Sequence, residues 1–185
     1  MKSLTSFFLG CVSIVQATRA QIPAAFPVWD ARLEQQIPDD WLVKPGTQKA
    51  EIYRSTDGKD VILYNGLLKR TFRISPAVAC TDFKNLSNGQ QLLRALSPEA
   101  RMVVDGKTYL IGGLKGQTEK AYLLPEWVEA YAAQSSDFQL VDVASEPLKP
   151  FLNWKPNTWL TNPRQPEGKT LIFSYNAVAP AIAGL

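Results

Sequence analysis

The chain has 185 residues, 45% of them hydrophobic and 20% charged, with a formal net charge of +3, which suits one domain and excludes both a disordered chain and a membrane-embedded one. Histidine is absent, so Ser-His-Asp and Cys-His catalysis, imidazole general bases and the usual zinc sites are excluded. No basic stripe marks a nucleic-acid footprint, and no nucleic-acid partner is expected.

Residues 1–20 read as an export signal: Lys2 is positive, Leu4 to Ala17 is apolar and uncharged, and Thr18-Arg19-Ala20 ends small, with cleavage after Ala20 or Ala17. The expected location is secreted or periplasmic. Phe8-Leu9-Gly10-Cys11 loosely resembles a lipoprotein box, whose first position is normally Leu, and leaves lipid attachment at Cys11 as the alternative. The apolar run is shorter than the roughly 20 residues of a comfortable span, and no later stretch replaces it. Loss of Lys2 and Arg19 leaves 18 of the 20 basic residues against 17 acidic ones. Cys80, in Val78-Ala79-Cys80, is then alone and reads as a buried small hydrophobe.

Residues 21–48, rich in Pro, Gln and Asp and holding Trp29 and Trp41, read as an N-terminal arm laid over the domain. A β-sandwich domain is expected over residues 49–176, since short alternating or β-branched runs are punctuated by Asp57-Gly58, Asn65-Gly66, Asn88-Gly89 and Asp105-Gly106. Asp60 to Tyr64 should pair with Leu67 to Ile74, and Arg101 to Val104 with Lys107 to Ile111. Further strands are expected at Val78 to Phe83, Gln90 to Arg94, Phe138 to Ala144 and Thr170 to Tyr175. Pro125 to Ala133 is the one expected helix, with Pro in the first turn, Glu126 at the positive end, and Trp127, Val128 and Tyr131 at helical spacing. The loop Gly112-Gly113-Leu114-Lys115-Gly116-Gln117 lacks the Gly-Lys-Ser/Thr ending of a phosphate-binding loop and reads as a wide turn with close backbone packing. Residues 177–185 form a small, apolar tail.

The chemistry left open is that of carboxylates, above all glycoside hydrolysis, in which two acids sit about 5 to 10 Å apart across a sugar. Asp57, Asp60 and Asp105 flank turns and Glu126 starts the helix. Glu99, in Ser97-Pro98-Glu99-Ala100-Arg101, and Asp82, in Thr81-Asp82-Phe83, are less easily explained and are the catalytic candidates. Trp29, Trp41, Trp154 and Trp159 are the candidates for stacking on sugar rings, although aromatics this large are more often core anchors. No cofactor and no metal site is expected.

Leu63-Tyr64-Asn65-Gly66-Leu67-Leu68-Lys69-Arg70-Thr71-Phe72, followed by Thr81-Asp82-Phe83-Lys84-Asn85-Leu86 and Leu92-Leu93-Arg94-Ala95-Leu96-Ser97-Pro98-Glu99-Ala100, form a set. With Asp105-Gly106-Lys107-Thr108-Tyr109, the Gly-rich loop, Trp154 and Trp159, this set resembles the N-terminal β-supersandwich domain of secreted bacterial glycoside hydrolases of the α-galactosidase type, over roughly residues 51–175. The resemblance implies a mainly β, antiparallel sandwich similar to the galactose mutarotase fold, packed against a separate catalytic barrel, and here cut short. No catalytic motif carries over. The expected function is a non-catalytic sandwich domain of an exported carbohydrate-active protein. A free-standing carbohydrate-binding module and a small carboxylate-based glycosidase are the alternatives. The expected partners are carbohydrate or a downstream catalytic domain. Self-association is expected through the strand Thr170 to Tyr175, which carries Leu171, Ile172 and Phe173 in a row.

Overall fold

The computed structural model describes residues 20–35, 40, 43, 49–149, 152 and 167–176. The chain is mainly β. Strands β1 (Glu51–Arg54), β2 (Asp60–Tyr64), β3 (Leu68–Arg73) and β4 (Ala79–Asn85) form an antiparallel meander in the order β1-β2-β3-β4. Strands β5 (Ala100–Val104) and β6 (Lys107–Ile111) form a separate hairpin, and β7 (Gln139–Pro147) pairs with β8 (Lys169–Asn176). Both hairpins expected from the turn dipeptides are present.

Their turns differ in mechanism. Asp105 and Gly106 both take positive φ, 49° and 74°, between the paired Val104 and Lys107, as a type I′ turn requires. The other turn sits one residue later than expected: Asn65 N–H donates to the Leu68 carbonyl at 3.2 Å, so Gly66 and Leu67 are its central residues. The Asn65 side chain accepts from the amides of Leu67 and Leu68 at 3.0 and 2.8 Å, which fixes the turn from outside.

Alternation sorts the meander into two faces. Val61 lies opposite Phe72, and Ile52 opposite Leu63. This face is buried with Phe26 and Ile74 beneath Val143 of β7 and Leu171 and Phe173 of β8, and Phe72 meets Phe173 edge-on at 5.4 Å. The other face carries Tyr53, Ile62, Tyr64, Lys69 and Asp82, and the arm covers one end of it. Val28 bridges β1 in parallel at Arg54, Arg54 and the arm exchange backbone bonds through Pro27 and Trp29, and the Tyr64 hydroxyl donates to the Leu33 carbonyl at 3.2 Å.

Two expectations fail here. Pro125 to Ala133 is not an α-helix but a 3-10 turn, Pro125–Ala130. Tyr131 is extended (φ −84°, ψ 147°), and Ala132 exchanges both backbone bonds with Lys115 at 2.8 and 3.0 Å, which pulls the chain straight. Val128 and Tyr131 are still buried, with Ala77, Ala79, Leu96 and Leu114. Gln90 to Arg94 is not a strand either; only Gln91 bridges β4, at Lys84. The Gln91 side-chain oxygen accepts from the amides of Phe83 and Leu93 at 3.1 and 3.0 Å, standing in for a ladder bond. A further short 3-10 turn, Ala31–Gln35, closes the described stretch 20–35 of the arm.

The Gly-rich loop is the wide, closely packed turn expected. A Cβ on Gly112 (φ 70°) would lie 2.4 Å from the Val78 carbonyl oxygen, and one on Gly113 (φ 99°) 3.2 Å from the backbone of Pro98. Gly113 N–H donates to that same Val78 oxygen at 2.5 Å. The loop thus closes the start of β4, and Gln90 closes the end by accepting from Asn85 N–H at 2.8 Å.

Candidate functional site

Lys69 and Arg70 are consecutive on β3, so their side chains leave the sheet on opposite faces, and each collects a different candidate carboxylate. On the face covered by β7 and β8, the Arg70 guanidinium lies 4.6 Å from the Phe72 ring centre and 5.5 Å from that of Phe83. Its Nη2 donates to Glu99 Oε2 at 2.7 Å and its Nε to Cys80 Sγ at 3.3 Å. The other Glu99 oxygen accepts from the Cys80 backbone N–H at 3.2 Å. Burial pushes the Cys80 thiol up, against the pull of Arg70. The Tyr175 hydroxyl is pushed up to about 12, by burial first and then by the Glu99 charge.

On the opposite face, Lys69 sits between Glu34 of the arm and Asp82, the latter at 2.7 Å. Lys84 reaches Glu34 at 3.3 Å, and the Gln91 amide donates to Asp82. Glu99 and Asp82 are therefore divided by the sheet, and each is bound to a cation. They do not form the facing pair that hydrolysis across a sugar ring requires.

A third network carries no mark in the sequence. Arg73 donates to Asp60 at 2.6 Å and to Glu129 at 2.8 Å, and Lys59 reaches Glu129 at 3.0 Å, which tethers the 3-10 turn to the sheet. Burial raises the Asp60 carboxyl although Arg73 lies beside it. Asp60, the first residue of β2, thus serves as a fastening point.

Among the aromatic candidates, Trp29 is half-buried and packs against two tyrosines. Its ring meets Tyr53 at 5.2 Å and Tyr64 at 5.4 Å, both edge-on, and Lys69 Nζ lies 5.8 Å from its centre. Trp41, Trp154 and Trp159 lie outside the described residues, as do Cys11, residues 1–19 of the expected export signal and residues 177–185.

Two clefts bear on the site, and the first network borders one of them. That one, of about 280 Å³, is lined by Ile52, Leu63, Leu68, Arg70, Phe83 and Lys169 among others. The other, of about 320 Å³, lies between β6 and the turn before β7, lined by Thr108, Tyr109, Gln134, Ser136 and Asp137. Asp137 is buried, and its Oδ2 has no hydrogen-bond partner. A second buried polar side chain, Gln117, is fully engaged: it accepts from Leu96 N–H at 2.8 Å and donates to the carbonyls of Arg94 and Tyr122. No local pattern marks either residue in the sequence.

Among the described residues, no group of three or more Cys, Asp or Glu gathers to hold a metal ion, and no helix is long and apolar enough to cross a membrane. Comparison with protein-family models, with curated proteins and with solved structures returned no match.

Proposed function

We propose that the chain is a non-catalytic β-sandwich domain of an exported carbohydrate-active protein of the glycoside hydrolase type. The observation that carries the non-catalytic part is the division of Glu99 and Asp82 between the two faces of the sheet, each bound to a cation. The packing of β7 and β8 over Ile52, Val61 and Phe72 supports the sandwich. Support for the carbohydrate connection comes from the sequence resemblance over residues 51–175, and for export from residues 1–20. The test is turnover of nitrophenyl galactoside by the purified chain. None is expected, and turnover that disappears in Glu99→Gln or Asp82→Asn would overturn the reading.

A second reading, a free-standing carbohydrate-binding module, is favoured by one observation. The 320 Å³ cleft combines an aromatic ring, Tyr109, with an amide, two hydroxyls and a carboxylate, the combination that suits a small polar ligand, and its volume is near the lower end of ligand sites, roughly 300 Å³. Titration with oligosaccharides separates the two. Binding lost in Tyr109→Ala at unchanged stability favours the module.

A further inference from the structure

We propose that the outer edge of β8 is a strand-addition site and that its occupant is β8 of a second copy of this chain, running antiparallel, so that two β7–β8 ribbons join in one four-stranded sheet. β8 spends one side on β7, from Lys169 opposite Pro147 to Asn176 opposite Gln139. Among the described residues its other side makes no backbone hydrogen bond from Thr170 to Asn176. Such a row of unpaired donors and acceptors is a template for another strand.

The usual defences are missing from β8 and present on β7 and β4. No proline and no charge lies between Thr170 and Asn176, and Lys169 at the end is tied to Glu51 at 2.6 Å. β7 carries Asp142, Glu146 and Pro147. The β4 edge is closed by Gly113, Glu99, Gln91 and Gln90. The apolar residues of β8 are also left incompletely covered: Leu171, Phe173 and Tyr175 pack toward the core yet stay half-buried, as does Ile172 on the other face.

The strand is complementary to itself. Pairing across a two-fold axis keeps residues of one face together only if the axis passes through a residue. An axis at Phe173 sets Phe173 opposite its own copy and Leu171 opposite Tyr175. An axis at Ile172 sets Leu171 opposite Phe173, and Ile172 opposite its own copy. In both registers aromatic and branched side chains meet their like, the pairs that stabilise antiparallel sheets. Neither register sets Lys169 against Lys169.

The test is sedimentation of the full chain over a range of micromolar concentrations, with hydrogen exchange at the two ends of the range. A reversible monomer–dimer equilibrium is expected, with the amides of β8 exchanging more slowly at high concentration while those of β4 are unchanged. Ile172→Lys, which sets two charges at or beside the axis, is expected to weaken the dimer by about tenfold or more. A chain that remains monomeric throughout would overturn the proposal, and so would a dimer in which slowing falls outside β8. Should Ile172→Lys fail to fold, the exchange pattern of the unaltered chain decides alone.

Discussion

Along β4 the outward amides of Cys80, Phe83 and Asn85 each find an acceptor, in Glu99, Gln91 and Gln90, and the carbonyl of Val78 takes the Gly113 N–H. Along β8 the outward groups find none among the described residues. The strands differ in charge, since β4 holds Asp82 and Lys84 while β8 holds none after Lys169, but neither charge supplies an acceptor to the outward amides of β4. The difference lies outside the strands themselves. The chain leaving β4 doubles back through Asn88-Gly89, then passes Glu99 and the Gly-rich loop, and each of these deposits a polar group on the edge. Satisfaction of a strand's outward backbone groups is thus supplied by distant loops, while its own charges and prolines disclose only the other half of its protection.

The comparison can be broken most severely at Gly112. Gly112→Ala sets a Cβ against the Val78 oxygen and demands a left-handed conformation from Ala. A loss of about 3 kcal/mol in urea unfolding is expected, from backbone strain and overpacking together. Glu99→Ala removes the acceptor of Cys80 N–H and the partner of Arg70. It should cost about 2 kcal/mol and give β4 an open edge of its own, read as stronger self-association in sedimentation.

Tyr175, at the end of β8, sharpens the comparison through pH. Its folded pKa of about 12 lies above the ordinary value of 10.0, so the folded chain holds the proton more tightly. Its contribution is complete below pH 10 and is lost as pH rises from 10 to about 12. Partial contact with water reduces the effect to on the order of 1–2 kcal/mol. Tyr175→Phe should flatten this part of the stability–pH curve, as measured by urea titration at each pH. The smallest effect is expected for Gln91→Ala: its side chain closes a solvent-facing part of the β4 edge, and about 1 kcal/mol should be lost.

The hairpins are legible in the sequence because their determinants are local. Asp105-Gly106 and Asn65-Gly66 lie between alternating runs, and one turn differs by a single residue because the Asn65 side chain joins its backbone N–H in holding Leu67 and Leu68. β1 has no comparable signal, since Glu51–Arg54 has Ile52 as its one buried residue and becomes a strand by packing and by the bridge to Val28. The periodicity of Trp127, Val128 and Tyr131 is real as a burial pattern and misleading as a helix, because the bonds between Ala132 and Lys115 override it. For the site, adjacency of Lys69 and Arg70 in sequence already implies opposite faces. Which carboxylate joins which cation depends on the register of β3 against β4 and on contacts as far apart as Glu34 and Lys84, and no short motif encodes that.

The position of Cys80 has a kinetic consequence. The residue is 5% exposed, beneath Arg70 and close to Phe72 and Tyr175, so a water-soluble disulfide reagent meets its thiol only after the cover on that face of the sheet opens. When reclosing outpaces the reagent, the labelling rate equals the rate for a free thiol multiplied by the fraction of molecules open at that instant. The chain therefore carries its own gauge of the open fraction at this covered face, readable by mass spectrometry without any added probe site.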